Sequence, residues 1–268
     1  YKQLLMSAGM ERYFQFARCM RDEDLRGDRQ PEFTQLDMEM SFVSEEEIMQ
    51  MNEELLIKIV TELYPEKRIQ QIPFPRIPYA EAMEKYGNDR PDIREDKEDG
   101  DLLAFCWVVD FPFFEKTDEG RWTFTHNPFS MPAIYDLDKH INGSEDDIGS
   151  IIAQQYDLIL NGYEIGGGSV RAHKPEILEA TYKNMGYNKE EMMKSVGTMY
   201  KAFHYGAPPH GGIAWGVDRL MMILEKKASI REVMAFPKTG TSEDLLFGAP
   251  SKLSNKKVEE MNVTVIRK

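Results

Sequence analysis

The chemistry in this chain starts with charged residues in places where charge needs a reason. Arg219 falls in the first turn of a helix expected from residue 217 to about residue 225, just after a glycine-rich strand end. A cation there opposes the helix macrodipole, at a cost of a few tenths of a kcal/mol or more, so an anionic partner is expected nearby. A second site of interest is the stretch 156–171, where Asn161-Gly162 is a strong two-residue hairpin turn. Pairing across it sets Leu160 opposite Tyr163, Ile159 opposite Glu164 and Asp157 opposite Gly166. Asp157 and Glu164 then project from one face as diagonal neighbours, roughly 7–8 Å apart at Cα. Two such carboxylates can share a divalent cation with phosphate oxygens, an arrangement Mg2+ prefers. On pattern alone, an exposed acidic pair without a ligand is an equal reading. Gly166 to Gly168 strip side chains from that face and let a flat ligand approach, although their spacing is not a dinucleotide fingerprint. Simple alternation puts Arg171 on the face away from Glu164. Both serve one site only if the glycine run contains a bulge.

These groups need elements to position them. Residues 13–42 read as a β-hairpin with a charged turn. In its second arm Thr34, Leu36, Met38, Met40 and Phe42 alternate with Gln35, Asp37, Glu39 and Ser41, the pattern of a strand with one apolar and one polar face. In the first arm Phe14, Phe16 and Met20 share one parity, and Gln15, Arg21 and Glu23 the other. Pairing the arms gathers Arg21, Glu23, Gln35 and Asp37 beside a loop, residues 24–32, that carries Arg26 and Arg29. A solvated sheet face is the plainer alternative. Such a face rarely collects arginine, carboxylates and amides next to a long charged loop.

Elsewhere the signals are structural. A short helix over residues 1–10 feeds the hairpin. Ser44 and Glu47 form a capping box, followed by Ile48, Leu55, Leu56, Ile59, Val60 and Leu63 at helical spacing, a packing stripe. Pro73, Pro75 and Pro78 mark an extended connection, and the charged run 89–101 an exposed loop. Residues 102–114 suit a buried central strand. Residues 121–129 suggest another strand, ending in Thr125-His126-Asn127-Pro128-Phe129. Helices are expected over 146–153, 175–184 and 189–203, the last capped by Asn188, with a final strand over 213–216. The tail, 251–268, is mildly basic and ends in a β-like Val263-Thr264-Val265-Ile266. His204 and His210 flank Pro208-Pro209 without metal-ligand spacing and read as structural or loop residues. Hairpins mixed with helices point to an α+β fold rather than a doubly wound one.

Composition sets the outer limits. The chain has 268 residues, 41% of them hydrophobic and 29% charged, with no apolar run that could span a bilayer. Two cysteines, Cys19 and Cys106, exclude a four-thiolate zinc site and suggest reduced thiols in a cytoplasmic protein. No signal peptide is recognisable. A net charge of −13 argues against a general nucleic-acid surface, so any such contact is local or lies on parts not present. The chain opens at Tyr1 and is expected to be a piece of something longer.

Three stretches in order, FARCMRDEDLRGDRQPEFTQLDMEMSF, GYEIGGGSVR and GIAWGVDRL, closely resemble motifs of class II aminoacyl-tRNA synthetases of the bacterial aspartyl type. The resemblance runs over nearly the whole chain. It implies one catalytic domain over 1–268, an antiparallel sheet flanked by helices that is incomplete at its N-terminus. The short loop 89–101 stands where relatives carry an inserted domain. The implied activity is ATP-dependent: L-aspartate and ATP give aspartyl-adenylate, and the aspartyl group then passes to tRNA-Asp, with tRNA-Asn left open. The resemblance further implies that Arg21 holds the α-phosphate and the reacting carboxylate. Asp22, Glu23 and Gln30 frame ATP, Glu164 and Asp157 carry Mg2+, and Gly216, Val217, Asp218 and Arg219 close on the nucleotide. Arg171, helped by Lys2 and His126, grips the aspartate side chain, and Asp37 takes its ammonium group. Asn127 stands where many relatives have a second histidine. A cytoplasmic homodimer, away from membranes, is implied for the full-length enzyme. An asparaginyl relative, a synthetase-like amide ligase and a catalytically silent binding module are the rival readings.

Overall fold

The computed structural model describes residues 1–22 and 24–264. Glu23, expected at the nucleotide, and the Val265-Ile266 end of the tail strand lie outside the described residues. In chain order the elements are α1 (Lys2–Ser7), β1 (Arg12–Met20), β2 (Glu32–Ser41), α2 (Glu45–Leu63), β3 (Arg68–Ile69), β4 (Arg76–Pro78), α3 (Tyr79–Tyr86), β5 (Leu102–Leu103) and β6 (Phe105–Val109). There follow β7 (Phe114–Lys116), β8 (Trp122–Phe124), α4 (Leu137–Asn142), β9 (Gln155–Leu160), β10 (Tyr163–Val170), α5 (Pro175–Asn184), α6 (Lys189–Phe203), β11 (His210–Gly216), α7 (Val217–Leu224) and α8 (Asn255–Glu260).

Seven strands form one sheet in the order β1-β2-β11-β10-β9-β6-β4, antiparallel except for the parallel pair β4 and β6. The apolar parity of β2 points into the main core, where Met38 and Met40 meet Ile213 and Trp215 of β11, Leu158 of β9, Ile48 and Leu56 of α2, and Leu220 and Leu224 of α7. The Ser44–Glu47 capping box that starts α2 is formed. Glu53 on the same helix binds the Trp107 indole and the Phe74 main-chain N–H, each at 3.0 Å, tying α2 to the sheet edge. No helix among the described residues is long and apolar enough to cross a membrane.

Several expectations shift. Phe14, Phe16 and Met20 of β1 remain 70%, 67% and 76% exposed, because the core helices stop short of this edge strand. The 102–114 run is broken: Asp110 adopts φ +56 directly after β6, and β6 lies next to the sheet edge while still buried throughout. Of residues 121–129 only Trp122–Phe124 is a strand, paired with β7 outside the main sheet. A 3-10 turn over Glu145–Ser150 replaces the helix expected at 146–153. The helices α3, α4 and α8 are not among the expected elements; α3 follows Pro78 and stops at a left-handed Gly87, residues usual at the two ends of a helix.

Candidate active site

The face of the sheet turned away from α2 and α7 is a trough, and its register explains why. Glu39, Gly212, Ser169 and Gln155 are successive partners across β2, β11, β10 and β9, and so are Asp37, Ala214, Gly167 and Asp157. Three carboxylates and the Gln155 amide therefore stand at the walls, with glycine, alanine and serine on the floor. The floor has no room to spare: a Cβ on Gly167 would lie 2.6 Å from Asp157 Oδ1.

A bulge aligns the second hairpin. Glu164 faces Ile159 as expected, but Gly166 faces Leu158 and Gly167 faces Asp157. The expected pairing of Asp157 with Gly166 is thus off by one residue. The unpaired residue is Ile165, ahead of the glycine run rather than inside it, and its burial in the main core accounts for the position. The parity flip brings Glu164, Gly167, Ser169 and Arg171 to one face.

Above the trough lies a cleft of about 570 Å3 into which Arg21, Arg171 and Arg219 all open. At one end sit a buried ion pair, Arg171 with Glu39, and a half-buried one, Lys2 with Asp37. Arg171 donates from Nε to Glu39 Oε1 at 3.1 Å, from Nη2 to Glu39 Oε2 at 3.3 Å and from Nη1 to Ser169 Oγ at 2.7 Å. Lys2 Nζ lies 2.7 Å from Asp37 Oδ1 and 3.2 Å from Glu39 Oε2. Burial pushes the Glu39 carboxyl up, but Arg171 and Lys2 outweigh it and hold the pKa below the ordinary carboxylate value. Phe129 lies under the Arg171 guanidinium, 5.7 Å from it.

At the other end Arg21 stands over the Phe33 ring at 5.2 Å. Arg219 binds the Glu164 carbonyl and pairs with Asp28 at 3.3 Å. Between the ends, Asp157 raises the Glu164 pKa to about 7, burial adding to the effect and Arg219 opposing it. Since Glu164 keeps an exposed edge, the neighbouring anion is the cause that matters. His126 Nε2 is 3.6 Å from Asp157 Oδ2; burial lowers the ring's pKa, but Asp157 more than offsets it and the net direction is up. A carboxylate whose proton affinity is raised by a neighbouring anion is short of a cation, as one member of a Mg2+ pair would be. No group of three or more His, Cys, Asp or Glu suited to a metal occurs among the described residues.

Of the residues singled out in the sequence, Lys2, Arg21, Gln30, His126, Asp157, Glu164, Arg171, Gly216, Asp218 and Arg219 line this cleft. Asp37 touches it through Lys2, whereas Asp22 and Val217 are not among its lining residues. The Gln30 amide is taken up by the main chain, accepting from Lys238 N at 2.7 Å and donating to the Lys238 and Arg29 carbonyls at 3.3 Å. Asp218 accepts the Thr34 N–H at 2.6 Å and so clasps α7 to β2. Asn127 accepts from Phe129 N and Ser130 Oγ, shaping the turn under Arg171. Glu39, Phe33 and Asp28 were passed over. Glu39 had a signal, since it shares the polar parity of β2 with Asp37.

A mixed, largely antiparallel sheet thus carries an arginine-lined cleft on one face. The sequence profile of the class II tRNA synthetases (D, K and N) matches residues 1–240, and the chain belongs to that family. It is 33% identical to the aspartate–tRNA(Asp/Asn) ligases of Bacillus subtilis and Rubrobacter xylanophilus, over 100% and 99% of its own length and 65% and 64% of theirs. The chain thus spans just under two thirds of those relatives. Among solved structures, it is similar to an aspartyl-tRNA synthetase from Entamoeba histolytica (TM-score 0.66, 24% identity, 88% of this chain and 50% of that one). It is also similar to an asparaginyl-tRNA synthetase from the same organism in complex with asparaginyl-adenylate (TM-score 0.64, 22% identity, 89% and 56%).

Proposed function

We propose that this chain is the catalytic domain, spanning residues 1–268, of an aspartate–tRNA ligase. The observation that carries the reading is the shared cleft of Arg21, Arg171 and Arg219, with buried Arg171 and half-buried Lys2 at one end and the carboxylates Asp157 and Glu164 between. The α-carboxylate of L-aspartate attacks the α-phosphorus of ATP, forming aspartyl-adenylate as the bond to pyrophosphate breaks. A terminal hydroxyl of tRNA then attacks the activated carbonyl and AMP leaves. No protein nucleophile takes part, and rate comes from positioning and charge stabilisation.

Each residue has a task within that scheme. Arg21 neutralises charge at the α-phosphate, with the Phe33 ring as a stacking surface for the base. Arg219 leaves Asp28 to meet the outer phosphates. Asp157 and Glu164 would hold Mg2+, which supplies charge screening at the phosphates when bound. Glu39 uses one edge of the Arg171 guanidinium and orients the rest of it toward the substrate side chain, where Lys2 and His126 join it. Asp37 accepts the substrate ammonium. Asparagine offers the free edge of Arg171 an amide in place of a carboxylate and so loses the charge-assisted hydrogen bonds aspartate makes there, a difference that sites built to hydrogen-bond their substrate punish strongly. tRNA-Asp is the acceptor, and the enzyme works in the cytoplasm as a homodimer. The exposed apolar row of β1 supports a covered edge in the whole assembly.

The test is ATP–pyrophosphate exchange by the full-length protein. Aspartate is expected to support exchange, asparagine to be at least a hundredfold poorer, and Arg171→Ala to abolish it. Near-normal exchange in Arg171→Ala removes the assignment, and preference for asparagine favours an asparaginyl enzyme.

A further inference from the structure

We propose that His210 is a positioning residue of the amino-acid subsite, its ring fixing the first turn of α1 so that Lys2 reaches Asp37 and Glu39. The proposal rests on the aspartate reading of the cleft. His210 opens β11 and is fully buried. Its Nδ1 lies 2.8 Å from the Pro208 carbonyl oxygen, which can only accept, so Nδ1 carries the ring proton. Nε2 is left with a lone pair and accepts from Gln3 Nε2 at 3.1 Å. Gln3 is the neighbour of Lys2. The main chain of His210 meanwhile accepts the N–H of Arg171 at 2.9 Å. One residue thereby touches the carriers of both cations that face Glu39.

The helix packs on α6 and β2, and Gln3 on His210 is the buried polar tie of its first turn. The helix is six residues long and lacks a side-chain cap at Tyr1. Its other buried anchor, Met6, packs against the Ser41 hydroxyl a full turn further along. Without Gln3 on His210, the first turn loses its buried polar tie to β11, and the main chain from which Lys2 reaches the carboxylates is held by apolar packing. Charge balance explains why the ring should stay neutral. Lys2 and Arg171 match Asp37 and Glu39, and an imidazolium would add an unmatched third cation. Burial indeed lowers the His210 pKa, with the Pro208 bond and Glu39 only partly opposing it. His173, whose ring centre is 6.5 Å away, and Phe203 at 6.2 Å complete the wall.

The proposal separates from a merely structural role by which constant moves. In ATP–pyrophosphate exchange with the full-length protein, Gln3→Ala and His210→Phe are expected to raise the aspartate KM about tenfold, leaving the ATP KM within twofold. Made on top of Lys2→Ala, Gln3→Ala should add less than twofold, because both act through the same ammonium. Equal rises in both KM values, or full additivity with Lys2→Ala, overturn the proposal. A readout without catalysis runs beside it: the 15N spectrum of the free protein. The His210 ring should show an Nδ1–H tautomer, and the slowly exchanging Lys2 ammonium signal should vanish in Gln3→Ala. A Lys2 signal that survives Gln3→Ala refutes the positioning role. If the wild type shows no aspartate-dependent exchange, the functional reading falls while the spectra still decide the role of His210.

Discussion

Replacing Glu39 by glutamine tests the electrostatic argument at its most demanding point. The Glu39 side chain is fully buried and Arg171 nearly so, while Lys2 is partly open to solvent. The change keeps the shape and removes one charge, leaving the Arg171 guanidinium desolvated with no anion at bonding distance. Removing one partner of a buried pair typically costs about 3–5 kcal/mol. The glutamine oxygen retains one hydrogen bond, so the lower end, about 3 kcal/mol, is expected. For a chain of this size that is a fall in Tm of roughly 6–12 °C. Urea denaturation followed by circular dichroism would measure it, with Glu39→Gln/Arg171→Gln as the companion variant. Because the double variant removes the stranded cation as well, it should recover part of the loss. The pH dependence has a definite sign. The folded Glu39 pKa lies below its unfolded value, so its contribution is complete above the unfolded pKa and is lost as pH falls through the folded one. The gap between wild type and variant should be flat above about pH 5 and close in stronger acid. A Glu39→Gln protein within about 1 kcal/mol of wild type at neutral pH would refute the reasoning.

Other consequences are equally direct. His140 is buried against Phe113 and Phe114; its Nε2 lies 2.9 Å from Thr181 Oγ1, and its Nδ1 has no partner. Burial lowers its pKa to about 4, so the unfolded chain binds the proton first, and stability should fall by up to about 3 kcal/mol between pH 6.5 and 4. His140→Gln should flatten that limb in a pH series of melting curves. Gly168→Ala would drive a methyl into the Gly212 carbonyl and within 2.8 Å of the Tyr156 ring, costing about 3 kcal/mol or more. Gly240→Ala, with open space around it, should be neutral in the same assay. Asp28→Asn frees Arg219 from an ion pair that nucleotide must otherwise displace, and should lower the ATP KM two- to fivefold. An ATP KM that rises instead would mean Asp28 orients the arginine.

The parts of this fold that could be read from sequence are those set by neighbours along the chain. The β1–β2 hairpin, the capped helix α2, the Asn161-Gly162 turn and the capped α6 each carry their instructions within a few residues. The sheet order does not. β11 inserts between β2 and β10, and nothing local announces it. The bulge was foreseen as a need but misplaced, because its position is set by how Ile165 fits the core. Glu39 was visible as a polar strand residue, yet its meaning depends on Arg171, 132 residues away. Phe14, Phe16 and Met20 share one parity in the sequence, but which faces the helices cover is a tertiary fact. Helix α3 was hidden by the prolines ahead of it, although Pro78 and Gly87 bracket it in the usual way.

The glycine-and-alanine bottom of the trough carries an implication for pharmacology. A compound lying flat on Gly167, Gly212 and Ala214 meets peptide groups, which a point mutation leaves in place. Adding bulk at either glycine collides with main chain or with a carboxylate already in position. With both glycines closed to change, a resistant variant would arise at Ala214 or at the walls, among the side chains proposed to select the substrate. Escape from such an inhibitor should therefore be slow and should carry a fitness penalty.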